Sequence, residues 1–373
     1  MVLLRWLKRL VKTILWLVAI ALLAPIAGLA YGFLTTSSPE PLAGVAEGAP
    51  PKALADKVRA EIPDYQRPRQ ATFLAYPEWA TVHAARDYAS FVAKDQPSDF
   101  PYWSYIGGYW QDHAAILRAS SAERFDYEDQ LMPLVTGTGY TIGNALQWAY
   151  ENTVGRITEA TAGKRTAADI HQAKAAADYA GFVAQTPWYQ FPYAEKRAGL
   201  FAVQPAADDG AVRSGERKLA FGFADTVKQG SAWLTGLFTA PSDPASFDIH
   251  VWAKGPVGEA TREEADTLLE RDFGADGTIF ITRRGQQFTD MIPRLIDKGI
   301  SFVEIGGNNE IMVTVLSSNE ITEPAGARVL FSQPIPVDPA TRRTGLIVAV
   351  RKLHIVLPAL FEAGARLEHV YGY

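Results

Sequence analysis

MIPRLIDKGISFVEI, residues 291–305, and VLPALFEAGARLEHV, residues 356–370, line up at an offset of 65. Pro293 falls on Pro358, Leu295 on Leu360 and Gly299 on Gly364. Each segment reads as an apolar-periodic helix, a glycine, and a short apolar strand. The glycine stands where a helix C-cap needs positive φ, a backbone region open to a residue without Cβ. Each segment also follows a strand that ends in arginine, at Arg284 and at Arg351. Strand–helix–strand therefore occurs twice, with an internal repeat as one explanation and shared βαβ periodicity as the other.

The surrounding chain extends this pattern. Phe247–Ala253 alternates like a strand, and Thr261–Arg271 reads as an exposed acidic helix. Gly277–Thr282, Ser301–Ile305, Glu310–Leu316, Arg328–Phe331, Gly345–Val350 and Arg366–Tyr371 read as strands. Gln286–Lys298 and Leu353–Gly364 read as helices, and Gly306-Gly307-Asn308-Asn309 as a turn. The expected fold class is α+β. Residues 247–373 would form a two-layer α+β domain of split βαβ, ferredoxin-like character, elaborated by a hairpin.

Upstream, residues 53–240 read as a mainly helical domain, separated by the Pro- and Ser-containing boundary Thr239–Ser246. Expected helices are Glu78–Lys94, Tyr102–Arg118, Thr166–Ala184 with Thr166 as N-cap, and Lys218–Phe238. Ile142, Leu146, Tyr150, Val154 and Ile157 recur at helical spacing on one face. Ala206–Glu216 reads as a polar loop. Between Tyr65 and Trp110 twelve of 46 residues are aromatic, against 11% in the whole chain, so aromatic packing organises this part.

At the N-terminus, Thr13–Leu34 runs 22 residues without a charge and follows Arg5, Lys8, Arg9 and Lys12. About 20 apolar residues suffice to cross the hydrocarbon core. A signal peptide cut after Gly28-Leu29-Ala30 competes with an uncleaved anchor, but its apolar core would be about 7–15 residues, shorter than this run. Residues 1–34 are thus expected to be a cytoplasmic basic segment and transmembrane helix, and 35–52 a Pro-, Ala- and Ser-rich linker. The positive-inside rule places the N-terminus in the cytoplasm and the bulk outside it, in the periplasm or its equivalent.

The chain has no cysteine, which excludes disulfides, thiolate metal sites and cysteine nucleophiles. Beyond the four N-terminal cations, 32 basic and 41 acidic residues remain, a net of −9. Such a body is a poor partner for nucleic acid, whose binding rests on phosphate neutralisation.

Motifs for chemistry are sparse. His83, His113, His171, His250, His354 and His369 are scattered without metal-ligand spacing, so no metal is expected. No Gly-x-Ser-x-Gly occurs. Asp208-Asp209-Gly210 lacks the further ligands of a calcium loop. The run Leu134–Leu146, with Gly137, Gly139 and Gly143, resembles the glycine turn of short-chain dehydrogenases, which would imply a nicotinamide cofactor at a helix N-terminus. Thr141 stands in place of the family's middle glycine, and the Tyr-x-x-x-Lys pair is missing. The alternative is a helix start capped by Thr136 or Thr138, and no cofactor is expected.

The reading that follows is a single-pass, membrane-anchored binding or scaffold protein of the bacterial envelope. It would recognise a protein partner, a second copy of itself or a lipid through an aromatic-rich surface. Candidate ligand-binding residues are Glu78, Trp79, Tyr102, Trp103, Tyr109, Trp110, Asp112 and His113, with no catalytic set. The rival is an envelope hydrolase assembled around Asp112 and His113, with Glu78, Arg284 or Arg351 contributing.

Overall fold

The computed structural model describes residues 12, 19, 22–36, 49–65, 76–119, 127–162, 165–206, 209–238 and 248–371. The first half is helical. Its helices are α1 (residues 22–35), α2 (Lys52–Glu61), α3 (Tyr76–Val92), α4 (Tyr102–Ala119) and α5 (Tyr127–Tyr150). A π segment, Glu151–Gly155, joins α5 to α6 (Arg156–Ala162); α7 (Ala167–Val183), α8 (Tyr193–Ala202) and α9 (Ala211–Phe238) follow. Pro97 and Pro101, which lack an N–H, separate α3 from α4. Thr166 caps α7, and Asp169 completes a reciprocal capping box.

α1 runs parallel to α4. Contacts step from Arg118, which donates to the Phe33 carbonyl at 2.6 Å, through Gly32 against Ala114, to Gly28 against the Trp110 indole. A Cβ at either glycine would overlap α4, so the two small residues permit the approach. α5 runs antiparallel to α4. Trp110 Nε1 donates to Thr141 Oγ1 at 2.9 Å, and Trp103 meets Trp148 edge-on at 5.6 Å. The glycine run 137–143 lies in the interior of α5, neither a phosphate-binding turn nor a helix start. Gly137 is there because a Cβ would strike the Tyr109 ring.

The second half holds two antiparallel sheets. The first comprises β1 (Asp248–Lys254), β2 (Thr267–Asp272), β3 (Thr278–Arg283) and β4 (Ser301–Ile305), ordered β2-β3-β1-β4. The second comprises β5 (Glu310–Ser317), β6 (Ala327–Ile335), β7 (Asp338–Ala349) and β8 (Arg366–Tyr371), ordered β6-β7-β5-β8. Helix α10 (Gln286–Asp297) connects β3 to β4, and α11 (Leu353–Glu362) connects β7 to β8. In each unit the helix thus crosses between two strands that flank the unit's first strand. The irregularities correspond as well. The β1–β4 ladder shifts at Trp252/Ala253 and the β5–β8 ladder at Thr314/Val315. The β2–β3 ladder shifts at Leu269/Arg271 and the β6–β7 ladder at Val329/Phe331. Gly299 and Gly364 end their helices at φ +81° and +82°.

One apolar cluster runs through both units. It takes Val251 and Phe280 from the first sheet, Val313 and Val370 from the second, and Phe288 and Val356 from the two helices. The alternate faces of the sheets are covered by the helical half. Val58 of α2 and Ile62 just after it pack on Trp252, Ile279 and Val303, while Tyr76 and Ile116 of α3 and α4 pack on Met312, Phe331 and Tyr371.

Two further expectations change. Residues 261–271 are not a helix: a short turn, Val257–Ala260, gives way to Asp266 at φ +56° and then to edge strand β2. Aspartate tolerates this left-handed backbone, and Leu268 and Leu269 are both exposed, so the segment never shows strand alternation. Residues 211–216 belong to α9 rather than to a loop, because Arg213 and Ser214 are buried. The stripe through Leu146, Val154 and Ile157 has helical spacing but faces outward. Among the described residues no helix is long and apolar enough to cross a membrane, and residues 13–18, 20 and 21 of the expected span lie outside them. The expected boundary at 239–246 also lies outside them.

Candidate functional site

The helical half meets the second sheet through polar side chains. From α3 come Tyr76, His83 and Asp87; from α4, Tyr105 and Asp112. The sheet supplies Gln333 on β6, Arg343 on β7, and Glu368 and Tyr371 on β8. Tyr76 Oη donates to Asp112 Oδ2 at 2.9 Å, and Gln333 Nε2 donates to Asp112 Oδ1. Arg343 grips Glu368 in a fork, Nε to Oε2 at 2.7 Å and Nη2 to Oε1 at 2.7 Å, a geometry that only guanidinium offers a carboxylate. Asp87 lies 3.4 Å from Arg343 Nη2 and accepts from Tyr105 Oη at 3.0 Å. His83 Nε2 pairs with Tyr371 Oη at 2.8 Å, and Tyr371 Oη with Thr314 Oγ1 at 3.2 Å.

Burial sets the protonation of this cluster. It pushes the Asp112 carboxyl up to about 7, against the opposing Tyr76 hydrogen bond and the charge of Arg343. It drives the His83 imidazole down to about 3, so that ring is neutral. His369, whose Nδ1 pairs with Thr289 Oγ1 at 3.0 Å, is lowered by the same cause. Burial would also raise Glu368, but the charge and the hydrogen bonds of Arg343 outweigh it and hold that carboxyl below its ordinary value.

A cavity of about 50 Å³ opens beside Asp112, lined among others by Tyr76, Tyr109, Tyr140, Gln333 and Arg343. A water molecule's share of the liquid is about 30 Å³, so the space suits one water rather than an organic substrate. A wider groove of about 350 Å³ lies elsewhere, between α10 and the α11–β8 connection, lined by Asp290, Pro293, Phe361 and Arg366.

Of the residues singled out in the sequence, the cavity brings together Asp112 and Tyr109, whose Oη donates to the Pro133 carbonyl at 2.6 Å. The others disperse. Trp79 stacks on His369 with centroids 3.5 Å apart, and Tyr102 is buried with its hydroxyl on the Pro97 carbonyl at 3.0 Å. Trp110 and His113 stack at 5.9 Å, away from the cavity lining. Trp103 and Glu78 are exposed. Arg284 follows β3 and Arg351 lies in the turn Val350–Lys352; neither lines the cavity. Sequence reading missed Arg343, Glu368 and Gln333. One signal was present: Arg342-Arg343 puts an arginine on each face of a strand, and the covered face then requires a carboxylate.

A second buried ionic cluster sits where α5 ends. Arg217 binds Glu151 in a fork at 2.8 and 2.9 Å, and Arg213 meets Asp169 at 3.2 Å and the Gly155 carbonyl at 2.8 Å. The π segment explains the geometry, since its wider turn carries Glu151 inward. Among the described residues no group of three or more His, Cys, Asp or Glu is placed to hold a metal ion. No protein-family model, curated protein or solved structure matches the chain.

Proposed function

We propose that this chain is a single-pass, membrane-anchored binding or scaffold protein of the bacterial envelope, with its bulk outside the cytoplasm. The observation that carries this reading is the seating of α1. Through Gly28 and Gly32 the described part of the apolar N-terminal run packs into the helical half. A body joined to its anchor in this way is held in a fixed pose at the bilayer, as a scaffold requires. The test is native mass spectrometry of the full-length protein extracted from membranes in mild detergent. Extra mass from lipid or a second protein is expected. A bare chain recovered from the soluble fraction overturns the reading.

A second reading, an envelope hydrolase working from Asp112, has one observation on its side. The carboxyl is poised near neutrality beside a water-sized cavity, as a general base requires. Hydrolysis of a panel of esters and amides that vanishes in Asp112→Asn would favour it over the scaffold.

A further inference from the structure

α9 is built with its charges inside. At 3.6 residues per turn, Arg213, Arg217, Phe221 and Asp225 share one side and are buried. Val212, Leu219, Phe223 and Val227 share the other and are exposed, Leu219 by 72% and Phe223 by 71%. The end of α5 and its continuation into α6 repeat the inversion. Gln147 donates inward to Tyr88 Oη at 2.9 Å and Glu151 is buried on Arg217, while Leu146, Val154 and Ile157 face out. The two inverted stripes lie on neighbouring helices, because Glu216 of α9 accepts from Tyr150 and, at 2.9 Å, from Thr158. In a bundle bathed in water the apolar stripe faces the core. Contiguous exposed apolar surface marks contact with another apolar body.

The path of the chain says which body this is. Contacts between the parallel helices α1 and α4 descend from Arg118 to Trp110 as α1 descends from Phe33 to Gly28. With equal rise per residue, the next turns bring Leu22 and Leu23 level with Trp103. Trp103 in turn packs on Trp148, at the end of α5 where its exposed stripe begins. The uncharged residues 13–21 precede Leu22 in the chain, so the apolar run joins α1 at this same end of the body. Tryptophans are enriched at the level of lipid headgroups. Arg156 and Asp99, paired at 2.8 Å and half exposed at this end, suit the headgroup layer rather than the hydrocarbon.

We infer that the outer face of α5, α6 and α9 docks on the lipid bilayer at the Leu22 end of the body, where the apolar run enters it. It lies in the interfacial layer and does not cross it, since Lys174 and Asp178 of α7 are exposed. The inference rests on the membrane-anchor reading and names lipid as what the body binds.

Because the chain lacks cysteine, one substitution carries one label. The full-length protein is labelled with an environment-sensitive fluorophore at Phe223→Cys, at Ile157→Cys, or at Lys174→Cys as the control, and reconstituted into phosphatidylcholine vesicles. Vesicle flotation is scored first. The expected result is a floating protein whose labels at 223 and 157 shift to the blue and are quenched by lipids brominated near the headgroup, while the label at 174 reads as aqueous. A protein that floats with all three labels aqueous overturns the docked face and leaves the anchor standing. A protein that floats and cross-links to a second copy through Phe223→Cys, without lipid quenching, assigns the face to self-association and overturns it too. A protein that does not float overturns both anchor and docking.

Discussion

Asp112 is a position at which a proton enters the buried network near neutral pH. Its folded-state carboxyl, at about 7, lies above the ordinary value of 3.8. The folded protein therefore keeps a proton that the unfolded chain releases, and the stability this provides is full below about pH 4 and lost as pH rises through 7. Asp112→Asn keeps a neutral hydrogen-bonding group at every pH. The stability difference, wild type minus variant, should thus be larger at pH 5 than at pH 8, by about 3 kcal/mol at 1.36 kcal/mol per pKa unit. Thermal melts of both proteins at the two pH values check this, and a pH-independent difference would count against a titrating Asp112. His83 and His369 act with the opposite sign. Held neutral below their ordinary value of 6.5, they contribute stability above that pH that is lost as pH falls toward about 3 for His83. A second residue-level prediction concerns Arg217, which together with Arg213 balances Glu151, Asp169 and Glu216. Arg217→Met strands buried carboxylates and should cost about 3–5 kcal/mol, whereas Arg217→Met combined with Glu151→Leu should recover part of the loss. Denaturant titration of the single and double variants measures both.

At the scale of elements, the seam between α1 and α4 depends on the absence of side chains at Gly28 and Gly32. Gly32→Leu would drive a branched side chain into the Trp110 carbonyl and Ala114. Over-packing of this kind costs about 1–3 kcal/mol, and here it should separate α1 from α4 rather than unfold α4. Limited proteolysis should then cut near residue 36 faster than in the wild type, while the melting of the sheet half stays unchanged. The same seam shows what the sequence could reveal. Periodicity located α3, α4, α10 and α11 to within a few residues, and β4 and β8 at their observed ends, since each buries a regular apolar set. It identified the stripe of Leu146, Val154 and Ile157 but not its direction, because helical spacing is the same for a face toward a core and a face away from it. The glycines of α5 misled for a related reason. Gly137 looks like turn chemistry, yet it answers to Tyr109, a neighbour 28 positions away in sequence that no local rule can see. The site suffered most. Asp112 was singled out, but its partners Tyr76 and Gln333 come from another helix and from a strand of the second sheet, and only tertiary packing joins them.

For the whole molecule, the correspondence of strand order, helix placement, bulge position and glycine cap makes the sheet half two copies of one plan. A copy of this size need not be an independent folding unit. Val251 and Phe280 of the first sheet and Val313 and Val370 of the second belong to the same apolar cluster, with Phe288 of α10 and Val356 of α11 among them. Neither unit buries its apolar face without the other, so the two should unfold together. Phe288→Ala removes a fully buried ring from the first unit, and Leu357→Ala a fully buried side chain from the second. Each should cost about 2–5 kcal/mol, the range for emptying a core site. The telling quantity is where that loss spreads. If the core is shared, hydrogen exchange should quicken in β1 and β5 alike for either variant, by similar factors, because both central strands open only in the common unfolding event. If the units are separate, Phe288→Ala should quicken β1 and leave β5 protected, and Leu357→Ala the reverse. Exchange followed by mass spectrometry on the full-length protein resolves the two strands as separate peptides. The junction then adds a direction: Arg343 and Tyr371 tie the second sheet to α3, so α3 should lose protection with β5 in both variants.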